Sequence, residues 1–142
     1  MIPPEYRGLP ALSIRQPWAH FILTAGKRHE NRDWSDRYPA KHFRGRFLIH
    51  AARDCTSGEF VAACQFARSA TWDMILPISP CLAALNRGGI VGAATVTGWV
   101  ENSDSPWAVG PGLVLDDVVP LEFTPCRGFL GFFRPSYEMR VP

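Results

Sequence analysis

No stretch of the 142 residues is both apolar and long enough to cross a bilayer; the longest candidate, Ile90 to Val100, is interrupted by glycine and threonine. The opening MIPPEYRGLP holds no apolar run of the kind that a secretory leader carries. A soluble, cytoplasmic chain with no membrane partner is therefore expected. Cys55, Cys64, Cys81 and Cys126 form neither a CxxC pair nor a zinc-finger spacing, and they read as reduced, mostly buried small hydrophobes. His20, His29, His42 and His50 supply no HxxxH or HxH pair, so neither a metal nor a cofactor is expected. Internal repeats and low-complexity segments are missing too.

What is present suits one domain with a real core: 46% of residues are hydrophobic and 12% aromatic. Pro3, Pro4 and Gly8 make residues 1–10 an irregular lead-in, leaving 11–142 as a single, monomeric domain. The net charge of +2 hides an asymmetry. Residues 1–53 hold ten Lys and Arg against four Asp and Glu, while residues 54–142 hold five against nine. A fold that gathered the first group on one face would offer a basic cleft to a polyanion.

Ala11 to Arg15 alternates as a short strand, with Leu12 and Ile14 on one face and Ser13 and Arg15 on the other. A helix follows at once: Pro17 suits its first position, Trp18, Phe21, Ile22 and Ala25 keep helical spacing, and Gly26 suits its end. From Lys27 to Trp34 charge falls on both faces of an extended segment, with Lys27, His29 and Asn31 on one side and Arg28, Glu30 and Arg32 on the other. Such a strand lies at a sheet edge or lines a cleft. Residues 35–45 read as a loop and Arg46 to Ala52 as a strand, with Phe47, Leu48 and Ile49 as its buried run and His50 just past that run. Ser57 is expected to cap a second helix reaching about Thr71, with Phe60, Val61, Cys64 and Ala67 on its apolar face. Pro77, Pro80 and Gly88–Gly89 mark a connection. Two longer strands follow, Ile90–Val100, bent at its glycines, and Leu113–Phe123, before the tail CRGFLGFFRP. These elements predict an α+β domain built on a small bent β-barrel with two or three flanking helices.

Three ordered blocks resemble one family: Leu12 to Ala19 (LSIRQPWA), Gly26 to Trp34 (GKRHENRDW) and Arg44 to Ala51 (RGRFLIHA). The family is ASCH, the activating signal cointegrator homology domains, and the resemblance spans roughly Ala11 to Phe133. Ser103-Asp104-Ser105-Pro106-Trp107 is similar to the SDSP segment of its coactivator branch. The resemblance implies a PUA-like barrel and a cleft for RNA, DNA or a nucleotide. It also brings the Asp104–Ser105 loop to the cleft mouth. Of the family's GxKxxExR motif, Lys27, Glu30 and Arg32 match, while Ala25 stands at the leading glycine with Gly26 one place later. A few members are similar to amidohydrolases acting on acetylated cytidine, or to ribonucleases. The amidohydrolase branch has a threonine three residues after its lysine, where this chain has Glu30, so that branch's specific chemistry is not supported.

The candidate nucleic-acid-binding residues are Ser13, Arg15, Gln16, Lys27, Glu30, Arg32, Trp34, Arg46, His50, Asp104, Ser105 and Trp107. Lys27 and Arg32 would meet phosphate, with Glu30 orienting one of them or accepting from a base. As an enzyme, the chain would use Glu30 as general base and Lys27 as nucleophile or oxyanion stabiliser. As structure, the same three would form an internal ion-pair network. The strand-to-helix junction at Arg15 and Gln16 offers backbone N–H groups to an anion. Trp18 reads as core, whereas Trp34 and Trp107, among polar neighbours, are candidates to stack on a base. His50 is either a core-edge histidine or a cleft residue beside Lys41, Arg44 and Arg46. The leading expectation is a nucleic-acid or nucleotide binder. A hydrolase of a modified nucleoside or of RNA is the alternative, and a protein-interaction module, docking through the acidic part of the chain, is a third.

Overall fold

The computed structural model describes residues 2–71 and 82–135, so Cys81 and the expected break at Pro77 and Pro80 lie outside the described residues. Its elements are β1 (Ala11–Ile14), α1 (Trp18–Thr24), β2 (His29–Asn31), β3 (Gly45–Ala51), α2 (Ser57–Ala70), β4 (Gly89–Val100), β5 (Gly112–Pro125) and β6 (Phe132–Phe133), with single 3₁₀ turns at Pro4–Tyr6, Pro39–His42 and Leu82–Ala84. The strands form one sheet in the order β2-β5-β4-β3-β1-β6. β1 runs parallel to β3, and every other neighbouring pair is antiparallel. Register shifts at three places between β4 and β5 and one between β3 and β4 add local twist, which curls the sheet into a half-barrel. The α+β class and the bent sheet are thus as expected.

α1 lies between two apolar surfaces because its face is wider than a single stripe. Ala19 and Ile22 pack onto the sheet with Leu12, Ile14, Phe47 and Ile49, while Phe21 and Ala25 turn to α2, meeting Cys64, Ala67 and Ala70. Full burial of one such side chain is worth about 1.5–3 kcal/mol. Gly26, at φ +71°, ends the helix in the left-handed region that glycine tolerates best.

Several boundaries differ from the sequence reading. Pro17 is the residue before the first helical position, and it follows a cis peptide bond from Gln16. The cap of α2 is Thr56, whose hydroxyl accepts from the Glu59 N–H. Val61 is 53% exposed, because the buried stripe of α2 runs through Ala63, Cys64, Ala67 and Ala70 instead. The extended charged segment shrinks to the three residues of β2, an edge strand. The tail contributes a strand that periodicity could not show, since β6 is two residues long. The lead-in is tied down: Ile2 is buried against Ala11, Leu48 and Ile90.

Candidate functional site

Two cavities adjoin where the first strand meets the second helix. One is a slot of about 420 Å³ whose walls are Trp18 of α1, Ala62, Ala63 and Phe66 of α2, and Val109 of the β4–β5 loop. Lys27, Glu30 and Asn31 also line it. The other, about 860 Å³, is lined by Ser13, Arg15, His50, Arg53 and Arg127, with Asp54 as its carboxylate. Arg15 lines the larger cavity and Glu59 the slot, and their ion pair at 2.5 Å joins the two.

The slot's floor is a buried ion-pair cluster. Lys27, 1% exposed, donates to the His29 carbonyl at 2.6 Å and to Glu30 Oε1 at 2.9 Å, and its ammonium sits 5.8 Å from the Trp18 ring centre. Arg32 Nε donates to Glu30 Oε2 at 3.1 Å, and a second Arg32 nitrogen donates to the Ser13 carbonyl. Burial works to raise the Glu30 pKa, but the charges and hydrogen bonds of Lys27 and Arg32 together outweigh it and hold the carboxyl below its ordinary value. Of this cluster Lys27 and Glu30 line the slot, and Glu59 adds a second carboxylate to its lining, paired with Arg15 of the neighbouring cavity. Sequence alternation had put Lys27 and Glu30 on opposite faces. The structure brings them together because the lysine precedes β2 and its long stem reaches the carboxylate.

The loop that forms the far wall is clamped to the same edge strand. Asn31 donates to the Trp107 carbonyl and accepts from the Val109 N–H, and a His29 ring nitrogen lies 3.0 Å from the Gly110 carbonyl. Gly112 permits this approach, since a Cβ there would fall 2.3 Å from the Glu30 carbonyl oxygen.

Not every expected residue joins this site. Trp107 is 4% exposed and packs against Phe21 and Phe66, so it is core and offers no face to a base. Its burial is set by α1 and α2, which its polar sequence neighbours conceal. Trp34 stacks with Trp99, contacts Tyr38 and carries Arg32 over its ring; it lines neither cavity. Trp18, expected to be core, is half-buried and lines the slot. Two of the junction N–H groups are taken, Ala19 N–H by the Arg15 carbonyl and His20 N–H by Gln16 Oε1. Gln16 itself is buried and donates to the Asn86 carbonyl. Arg32 is bonded to Glu30 and the Ser13 carbonyl, lies over the Trp34 ring and lines neither cavity. Arg46 is at the other end of β3, bonded to Thr95 and the Asp117 carbonyl, and Lys41 pairs with Asp36 and Glu101. Asp104 is exposed, Ser105 accepts from the Trp107 N–H in a local turn, and neither lines a cavity.

Arg53, Glu59, Phe66, Val109 and Arg127 enter the site without having been expected there. Arg53 and Arg127 carried the one available signal, a charge two residues past the end of a strand. No group of three His, Cys, Asp or Glu residues that could hold a metal occurs among the described residues, and no helix among them is long and apolar enough to cross a membrane.

No curated protein matches the chain. The family model described as the ASCH domain matches residues 12–108, from β1 through α1, β2, β3, α2 and β4 to the loop that closes the slot. With a match over about two thirds of its length, the chain belongs to the ASCH domain family.

Proposed function

We propose that this ASCH domain binds nucleic acid, taking one unstacked base in the slot and the neighbouring phosphates in the arginine-lined cavity. The observation that carries the reading is the junction of the two spaces: an apolar, aromatic-walled slot with a buried lysine in its lining opens beside three arginines. A base is a flat apolar body with polar edges, and Trp18 and Phe66 offer ring surface while Lys27 offers a donor to a base carbonyl. Two of the three Lys27 ammonium protons go to His29 and Glu30, which leaves one for a ligand. Arg15, Arg53 and Arg127 suit phosphate oxygens, and a free nucleotide presents the same two parts. Glu30 is a poor general base in this setting, because two cations keep its carboxyl acidic, far from the near-neutral value that proton transfer favours.

Fluorescence anisotropy with labelled single-stranded RNA and DNA of mixed sequence tests the reading. Binding is expected at low salt and should weaken linearly on a log–log plot as salt rises. Trp18→Ala should weaken it by about 1–3 kcal/mol while circular dichroism still reports the fold. Absence of binding at low salt would overturn the proposal, as would unchanged affinity in folded Trp18→Ala.

A further inference from the structure

The larger cavity contains a pair of side chains that nucleic-acid binding does not use. Ser13 and His50 are register partners on the parallel strands β1 and β3, so their side chains leave the sheet side by side. A β-bulge lies between Ile49 and His50, a feature that re-aims a side chain. The Ser13 hydroxyl is 3.0 Å from His50 Nδ1, and His50 Nε2 is 2.8 Å from the Cys126 carbonyl. A carbonyl only accepts, so Nε2 carries the imidazole proton and Nδ1 presents its lone pair to the hydroxyl. The carbonyl is itself fixed, because Cys126 N–H donates to Gly88 O and Gly88 N–H to Ala51 O. A nucleophile, a base and a group that orients the base are thus in line, the arrangement that activates serine for acyl transfer.

We propose that Ser13 and His50 form a nucleophile–base pair that hydrolyses carboxylic esters of phosphorylated alcohols held in the arginine-lined cavity. Three features support this beyond the pair. Both residues line a cavity large enough for a nucleotide-sized molecule, and Ser13 is partly exposed there. Arg15, Arg53 and Arg127 outnumber Asp54 and the Glu59 carboxylate that pairs with Arg15, so the space favours an anionic substrate. The tail crosses the pair at Gly128, where a Cβ would sit 3.1 Å from Ser13 Oγ and 2.6 Å from His50 Cε1. Only glycine lets the chain close over the pair without covering the hydroxyl. Burial lowers the His50 pKa against the opposing hydrogen bond to Cys126, which keeps the imidazole neutral and able to accept a proton.

The reaction balances with water as sole co-reactant. Ser13 Oγ bonds to the ester carbonyl carbon as its proton passes to His50 Nδ1. The bond from that carbon to the alcohol oxygen then breaks, and the departing oxygen takes the proton from Nδ1. Water next attacks the seryl ester, giving a proton to Nδ1; the carbon–Oγ bond breaks and Ser13 recovers the proton. A carboxylic acid and a phosphorylated alcohol are released.

The test uses the whole chain without nucleic acid, so its failure and that of the binding reading are separate results. A fluorophosphonate probe should add one phosphonyl group, mapped by mass spectrometry to Ser13. The O-acetyl ester of adenosine 5′-monophosphate should release acetate faster than uncharged p-nitrophenyl acetate does relative to their rates in water. Ser13→Ala, which removes one oxygen atom, should abolish both. His50→Gln should slow both by about a hundredfold or more, the least that a general base contributes. Gly128→Ala should block labelling by placing a methyl over the hydroxyl. Labelling or hydrolysis that survives Ser13→Ala would overturn the proposal. So would a wild-type protein that neither labels nor releases acetate.

Discussion

At the scale of single residues, the unusual placement is that of Glu30, which answers two cations with one carboxylate in a setting from which water is largely excluded. Removing one partner of a buried ion pair leaves an uncompensated charge, at a cost of about 3–5 kcal/mol. Glu30→Ala, which leaves the buried Lys27 without its carboxylate, is therefore expected to lower the urea-derived unfolding free energy by that order, whereas a glutamate at an exposed rim would change it by less than about 0.5 kcal/mol. The identity of this cluster was legible in the order Lys27, Glu30, Arg32, but its closed pairing was not. Alternation describes where Cβ atoms point, and it says nothing of where four methylenes carry an ammonium group. Trp107 shows the same limit from the other side. Its neighbours in sequence are polar, yet its neighbours in space are Phe21 and Phe66.

At the scale of elements, α2 supports both cavities through its first turn, where Thr56 caps the helix and Glu59 reaches Arg15. Thr56→Ala should cost about 1 kcal/mol of stability, measured by thermal or urea melts. Val61→Ala, on the solvent side of the same helix, should stay within about 0.5 kcal/mol. The slot's outer wall depends on one side chain of the edge strand. Asn31→Ala should speed hydrogen exchange at the Val109 N–H without comparable change in β4, because it removes the acceptor that holds that group. Helix periodicity and strand alternation made α1, α2, β3, β4 and β5 readable to within a few residues. β2 was readable as an edge strand but over too long a span, Lys27 to Trp34, and β6 was not readable at all, since two residues cannot display a period and its pairing is decided by β1.

At the scale of the molecule, acid is the condition that opposes this fold. Burial lowers the pKa of His20 and, against the Cys126 hydrogen bond, of His50, so the unfolded chain binds protons that the folded chain refuses. Their contribution to stability is complete above the ordinary histidine value of 6.5 and is lost as pH falls below it. Glu30 acts with the same sign further down: its contribution is complete above the ordinary value of 4.5 and disappears as pH falls through its lowered folded value. Urea melts across pH should therefore give a level stability from pH 7 to 8, a first decline below 6.5 and a further one below 4.5. The charge asymmetry of the sequence reaches the fold only in part. Arg15 and Arg53 come from the basic third and Arg127 from the acidic remainder, while Lys41, Arg44 and Arg46 are drawn elsewhere.

The pairing of Ala11 with Phe133 has a consequence in time. Every residue that lines the slot has been synthesised by Val109, and β5, which holds β2 in place, begins three residues later. The larger cavity needs Cys126 to fix His50 and residues as late as Leu130 to close it. During synthesis the two halves of the site therefore mature in sequence. Closing so long a loop for the last pairing also slows this step relative to the local ones. A nascent chain stalled beyond β5 would present the slot before the arginine-lined cavity exists.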